Sequence, residues 1–187
     1  DPPSRAIRLA APGGNVVRGL ATVVADAGAL QASYAFTPEQ DTILNSLHVA
    51  VNFSIEALAG GTWQADQRNG TFPVTFGDIS LFHGSVRVLQ INTAAGESLA
   101  FRFPQPTNVL IQDNRQWGPS FVVRILRASS QDRPFRKGAA IQLDFTLAAR
   151  DGMRVEHDAP VTIVADKDWI PLQLELDIEP GSALDFS

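Results

Sequence analysis

The feature that most constrains this chain is a strict two-residue alternation of apolar and polar side chains. Leu47, Val49, Val51, Phe53 and Ile55 alternate with His48, Ala50, Asn52, Ser54 and Glu56. Ile141, Leu143, Phe145 and Leu147 alternate with Gln142, Asp144, Thr146 and Ala148, and Leu172, Leu174, Leu176 and Ile178 with Gln173, Glu175 and Asp177. Shorter runs repeat the pattern at Leu99–Phe103 and Phe121–Leu126. A pleated strand sends successive side chains to opposite faces, so each run describes a strand with one buried and one wetted side. That is the signature of antiparallel sheet; a parallel α/β sheet would need near-continuous apolar strands separated by long helices.

Further strands are expected near Ile7–Leu9, Val16–Ala25, Leu30–Phe36, Val86–Ile91, Val109–Ile111 and Val161–Val164. Turn-forming pairs punctuate them: Gly13-Gly14, Gly60-Gly61, Asn69-Gly70, Gly96-Glu97 and Asp151-Gly152. Strand signals at roughly 8–12-residue spacing predict a sandwich or barrel. The expectation is an all-β antiparallel β-sandwich, jelly-roll-like, with at most one short helix. Thr37-Pro38-Glu39-Gln40 has the arrangement of a helix capping box, with Ile43, Leu44 and Leu47 as an apolar face; a plain turn fits the same residues.

A chain of 187 residues fits one domain, residues 1–187, with a core of its own. The Pro-bearing stretches Pro104–Thr107 and Asp158–Pro160 are too short to be linkers, and Ala128–Gly138 is the one loop long and polar enough to be expected to move. Composition excludes several functions. Fifteen Lys and Arg against 20 Asp and Glu leave a formal charge of −5. Neither half of the chain concentrates cations, so neither nucleic acid nor an anionic membrane surface is an expected partner. No run of 18 apolar residues is present to span a bilayer. Cysteine is absent, which removes disulfides, thiolate metal sites and Cys nucleophiles. No apolar signal segment stands at the N-terminus, and the expectation is a secreted or periplasmic chain from which such a segment has been removed.

No complete catalytic motif can be read. His48, His83 and His157 stand singly, without H-x-H or H-E-x-x-H spacing. Glu175/Asp177 and Asp166/Asp168 have the spacing of same-face carboxylates on a strand, but this is also the pattern of a solvated sheet face. There is no G-x-S-x-G elbow and no phosphate-cradling glycine loop. Asp66 and Asn69, in Asp66-Gln67-Arg68-Asn69-Gly70, are candidate ligands for a structural calcium ion; turn chemistry explains Asn69-Gly70 equally. No other cofactor is expected.

The richest polar loop is Gln112-Asp113-Asn114-Arg115-Gln116-Trp117-Gly118-Pro119. An indole face can stack on the C–H surface of a sugar ring, while amides, carboxylate and guanidinium bond its hydroxyls. Trp63 stands in a second polar stretch and Trp169 follows Asp166-Lys167-Asp168. Trp63, Asp113, Asn114, Arg115, Gln116 and Trp117 are therefore the candidate ligand-binding residues, with Trp63 and Trp117 as a shared stacking shelf. The rival reading packs each indole inward as a loop anchor.

The run Trp169-Ile170-Pro171-Leu172, followed by Ile178-Glu179-Pro180-Gly181-Ser182-Ala183-Leu184-Asp185-Phe186-Ser187, resembles the exit of N-terminal β-sandwich accessory domains in bacterial secreted glycoside hydrolases. The Gln112–Gly118 run is similar in flavour. The resemblance covers about a fifth of the chain and transfers no functional residue. It implies a non-catalytic carbohydrate-binding or accessory module of a polysaccharide-degrading enzyme, a fragment of a larger protein with an adjoining catalytic domain and a polysaccharide or oligosaccharide as partner. A small β-sandwich glycoside hydrolase or polysaccharide lyase, and a structural spacer or docking domain, are the alternatives.

Overall fold

The computed structural model describes residues 4–10, 16–26, 29–42, 47–128, 135–150, 162–163 and 170–174. Among them lie twelve strands and one helical turn. They are β1 (Ser4–Ala10), β2 (Val16–Asp26), β3 (Ala29–Pro38), β4 (Leu47–Ser54), α1 (Ile55–Leu58), β5 (Thr62–Ala65), β6 (Arg68–Thr71), β7 (Ser80–Asn92), β8 (Ser98–Asp113), β9 (Ser120–Ala128), β10 (Ile141–Arg150), β11 (Thr162–Ile163) and β12 (Ile170–Leu174). All the pairings are antiparallel except that of β12 with β4.

The strands join one hydrogen-bonded path, β1-β2-β3-β10-β8-β9-β4-β12-β11, with β7 on the other edge of β8 and β5 and β6 beyond it. The long strand β8 makes this path two-layered. Its first residues, Ser98–Arg102, pair with β10, whereas Asn108–Asp113 pair with β9. The strand β7 follows β8 through both parts with a shift: Val88 faces Arg102 but Val86 faces Thr107, so residues 103–106 oppose Arg87 alone. A bulge of this size bends the ribbon and carries it from one layer into the other. One layer is β1, β2, β3, β10, the start of β8, the end of β7, β5 and β6. The other is the start of β7, the end of β8, β9, β4, β12 and β11. The chain crosses between layers from β3 to β4 and back from β9 to β10, so the expected all-β, mainly antiparallel, sandwich-like fold is what this sequence adopts.

Pro104 and Pro106 are accommodated because they sit in the bulge, where a missing N–H breaks no regular ladder. Pro104–Thr107 is thus the corner of a strand. The N–H groups that the bulge frees on β7 are satisfied from the β5–β6 turn: the Asp66 carboxylate accepts from Arg87 N at 3.1 Å and from Val88 N at 2.9 Å.

Alternation decides what enters the core. Every second residue of β3 is buried, and Val49, Val51 and Phe53 of β4 face the same interior. Tyr34 stacks on Phe36 and Phe145 with centroids 6.2 and 6.1 Å apart, and Phe101 and Phe103 tilt against Phe145. Phe72 meets Phe121 edge-on at 5.1 Å. Each such ring contributes about 2–3 kcal/mol by burial, and the buried residues form one continuous cluster.

The helix is placed differently from the expectation. Thr37 and Pro38 pair with Arg18 and Val17 as the end of β3, so sheet pairing outweighs the local capping signal there; residues 43–46 lie outside the described residues. The observed turn α1 is capped by Ser54, whose Oγ accepts from Ala57 N at 3.2 Å. After it, Gly61 is required sterically, since a Cβ would lie 2.3 Å from Asn92 O and 2.9 Å from Leu58 O. Of the loop expected to move, residues 129–134 lie outside the described residues, while Phe135 bridges Thr42 and Arg136 holds Asp41 at 2.6 Å.

Candidate functional site

The polar run 112–119 forms the end of β8, a hairpin turn and the start of β9. Trp117 N and Gly118 N both donate to Asn114 O, at 2.8 and 2.9 Å, and Asn114 N donates to Ser120 O at 2.9 Å. The turn is further held from inside. Asp113 is fully buried, and its Oδ1 and Oδ2 accept from Arg115 Nε at 2.9 Å and Nη2 at 2.5 Å. The same guanidinium donates to Val74 O at 2.7 Å and Pro73 O at 2.8 Å, and its carbon lies 5.2 Å from the centre of the Phe121 ring. The Arg115 hydrogen bonds hold the Asp113 carboxyl below the usual carboxylate range, and Asp113 in turn raises the guanidinium. Both groups are therefore mainly engaged in fastening the 73–79 segment to the hairpin, with four of the five guanidinium N–H groups used.

The outward products of this clamp are Asn114, Gln116 and Trp117. The Trp117 indole is 61% exposed, and among the described residues the other large exposed apolar side chains are Leu20, Val74 and Phe76. Val74 and Phe76 belong to the segment that Arg115 fastens, so three of these four lie at one end of the sandwich.

Trp63 does not join them. It lies on β5 with 7% exposure, tilted against Phe82 at 5.2 Å, and Arg68 stands over the Phe82 ring at 4.4 Å. Its indole occupies the space where Gly70 has no side chain: a Cβ there would sit 2.3 Å from Cζ2. The Trp63 ring offers a ligand no free face, and the two indoles form no common shelf. Trp169 lies outside the described residues.

Asp66 and Asn69 sit on the β5–β6 hairpin. Asp66 takes the left-handed conformation, φ 51°, that the tight turn needs, and its carboxylate is committed to the β7 bulge. Asn69 pairs across the hairpin with Gln64. No group of three or more His, Asp or Glu side chains converges among the described residues. Asp166, Asp168, Glu175, Asp177 and His157 lie outside them. His48 is 1% exposed, and burial, with the nearby Arg124 charge, pushes its pKa down to about 3. His83 is exposed on β7, so the topology does not bring these two imidazoles together.

The structure also assembles polar residues that alternation marks only as the wet side of strands. On the outer face of the first layer, Ser33 faces Asp144 and Gln31 faces Thr146 across the β3–β10 pair. They line a groove of about 460 Å³ with Arg102 of β8. Their spacing in sequence, 111 residues between Ser33 and Asp144, hides the neighbourhood until the register is known. No helix among the described residues is long and apolar enough to cross a membrane. Comparison of the sequence with models of protein families finds no match, and comparison with curated proteins finds none either.

Proposed function

We propose that this chain is a non-catalytic carbohydrate-binding or accessory module of a polysaccharide-degrading enzyme acting outside the cytoplasm, with a catalytic domain adjoining it. The observation that carries the reading is the Trp117 indole, 61% exposed on a hairpin that the Asp113–Arg115 pair holds in place. A preorganised aromatic face spends little conformational entropy on binding. Gln116 and Asn114 flank it with amide donors and acceptors suited to sugar hydroxyls. Trp117 thus stacks on a pyranose ring while these neighbours set its orientation.

Affinity electrophoresis through gels containing xylan, mannan, laminarin or hydroxyethylcellulose tests this. Retardation of the wild-type chain in at least one gel, lost in Trp117→Ala without a change in melting temperature, is the expected result. Equal mobility of both proteins in every gel would contradict it. Release of reducing ends from these polymers by the purified chain would favour the glycosidase alternative.

Val74 and Phe76 support a second reading, a docking domain, because they extend the exposed apolar surface beside Trp117. On that reading the same end braces a neighbouring protein domain, and Trp117→Ala weakens that association instead of polysaccharide binding.

A further inference from the structure

We infer that the groove on the outer face of the first layer is a second glycan subsite, taking a short segment of a neutral oligosaccharide chain. The inference rests on the carbohydrate reading above but on different residues. Two rows of side chains cross the sheet there. Thr22, Ser33 and Asp144 form one row over β2, β3 and β10; Gln31, Thr146 and Arg102 form the other over β3, β10 and β8. All six point away from the core, because their neighbours Ala32 and Phe145 are buried within it. The 103–107 corner of β8 rises beside them, since Phe103 and Pro104 border the groove.

The donors and acceptors in these rows are only partly used. Ser33 Oγ donates to Asp144 Oδ1 at 2.7 Å and Gln142 Nε2 donates to the same oxygen at 3.2 Å, which orients the carboxylate and leaves Oδ2 open. Gln31, Thr146 and Arg102 make no side-chain hydrogen bond or ion pair with the other described residues. An oriented carboxylate, a free guanidinium, an amide and hydroxyls together read vicinal hydroxyl pairs. One carboxylate and one guanidinium leave the groove without net charge, which favours a neutral glycan over a uronate.

The dimensions agree. A volume of about 460 Å³ is that of a small-molecule site. Three strands placed about 4.8 Å apart give each polar row a length of about 10 Å, with Val24 as the apolar β2 neighbour of the second row. That spacing is close to the rise per sugar in an extended β-linked chain, so successive hydroxyl groups meet successive strands. A smaller concavity of about 140 Å³, sharing Pro104 and Asp144, continues the run past the corner.

The test is calorimetric titration of the full chain with cellohexaose, xylohexaose, mannohexaose, laminarihexaose and, as the charged comparison, hexagalacturonate. Arg102→Ala and Gln31→Ala are the variants; both side chains are exposed and make no hydrogen bond or ion pair among the described residues, so the melting temperature should stay at the wild-type value. The expected result is binding of at least one neutral hexasaccharide, with Kd raised about tenfold by Arg102→Ala and several-fold by Gln31→Ala. Wild-type affinity in both variants, with loss only in Trp117→Ala, would overturn the groove and leave the module reading intact. Binding of hexagalacturonate alone would overturn the neutral ligand. No binding of any of the five by wild type would remove the module reading and the groove together.

Discussion

Replacing Arg115 by Met keeps most of the side-chain stem and removes every guanidinium donor. In the native chain those donors make two bonds to the fully buried Asp113 carboxylate and one each to Pro73 O and Val74 O. The carbonyls of Pro73 and Val74 can turn to water. The carboxylate cannot, and it keeps only the bond from Arg115 N at 3.2 Å. Removing one partner of a buried pair costs about 3–5 kcal/mol. The retained backbone bond and the 17% exposure of the Arg115 side chain place the loss at the lower end, about 3 kcal/mol. For a chain of this size that is a fall in Tm of about 6–12 °C. The pH dependence identifies the cause. In the wild type the Asp113 pKa is depressed, so its contribution is present above the unfolded carboxylate value and fades as pH falls below about 4. Without the guanidinium, desolvation is opposed only by the backbone N–H of residue 115, the pKa rises, and the deficit of the variant shrinks on acidification. Urea unfolding of Arg115→Met between pH 7 and pH 4 measures both effects, and adding Asp113→Asn to Arg115→Met should recover about 1–2 kcal/mol by removing the stranded charge. A loss below about 1 kcal/mol that does not vary with pH would mean a solvent-screened surface pair and refute the clamp.

Tyr34→Phe should stabilise the protein by about 1 kcal/mol in urea unfolding, because the Tyr34 hydroxyl is buried without a hydrogen-bond partner among the described residues; destabilisation would mean that it has one. Gly70→Ala should destabilise by about 2–3 kcal/mol and shift tryptophan emission to the red as the new methyl displaces the Trp63 indole; a native spectrum and Tm would refute that contact. The His48 pKa, held at about 3 in the fold, lies below the unfolded value of about 6.5, so stability is full above pH 6.5 and falls with decreasing pH until the folded pKa is reached. This costs the wild type about 2 kcal/mol between pH 6.5 and pH 5. Thermal melts of His48→Gln should lack that slope, and an equal slope in both proteins would assign it elsewhere.

The alternating runs of β4, β9 and β10 were legible in the sequence because Val49, Val51 and Phe53, Phe121, Val123 and Ile125, and Leu143, Phe145 and Leu147 each share a buried face; in β4 the structure also buries His48 and Ala50, on the side that alternation assigns to water. Trp63 was read as part of a polar loop, whereas in the structure Thr62, Trp63, Gln64 and Ala65 alternate exposed and buried over four residues. Such a short run between Gly61 and Asp66 carries the same composition as a polar loop, and only pairing with β6 and β7 makes it a strand. Pro104 and Pro106 concealed the continuity of β8, since local rules place proline outside a central strand and only the bulge opposite Arg87 admits it. In the 112–119 loop, Asp113 and Arg115 stand two apart and bond each other, which leaves Trp117 with the amides as the surface available to a ligand. The groove could not be read at all, since its members come from four strands whose register is set by long-range pairing.

The reading of this chain as a sugar-binding module turns on which indole meets a ligand. Titrating ¹⁵N-labelled protein with the oligosaccharide of the best-retarding polymer, while following the tryptophan indole N–H signals, tests that directly. The account predicts a saturable shift of the Trp117 signal, with the Trp63 signal unmoved in its buried site beside Gly70. A Trp117 signal that stays fixed across all the oligosaccharides, or a shift of Trp63 in its place, would contradict it.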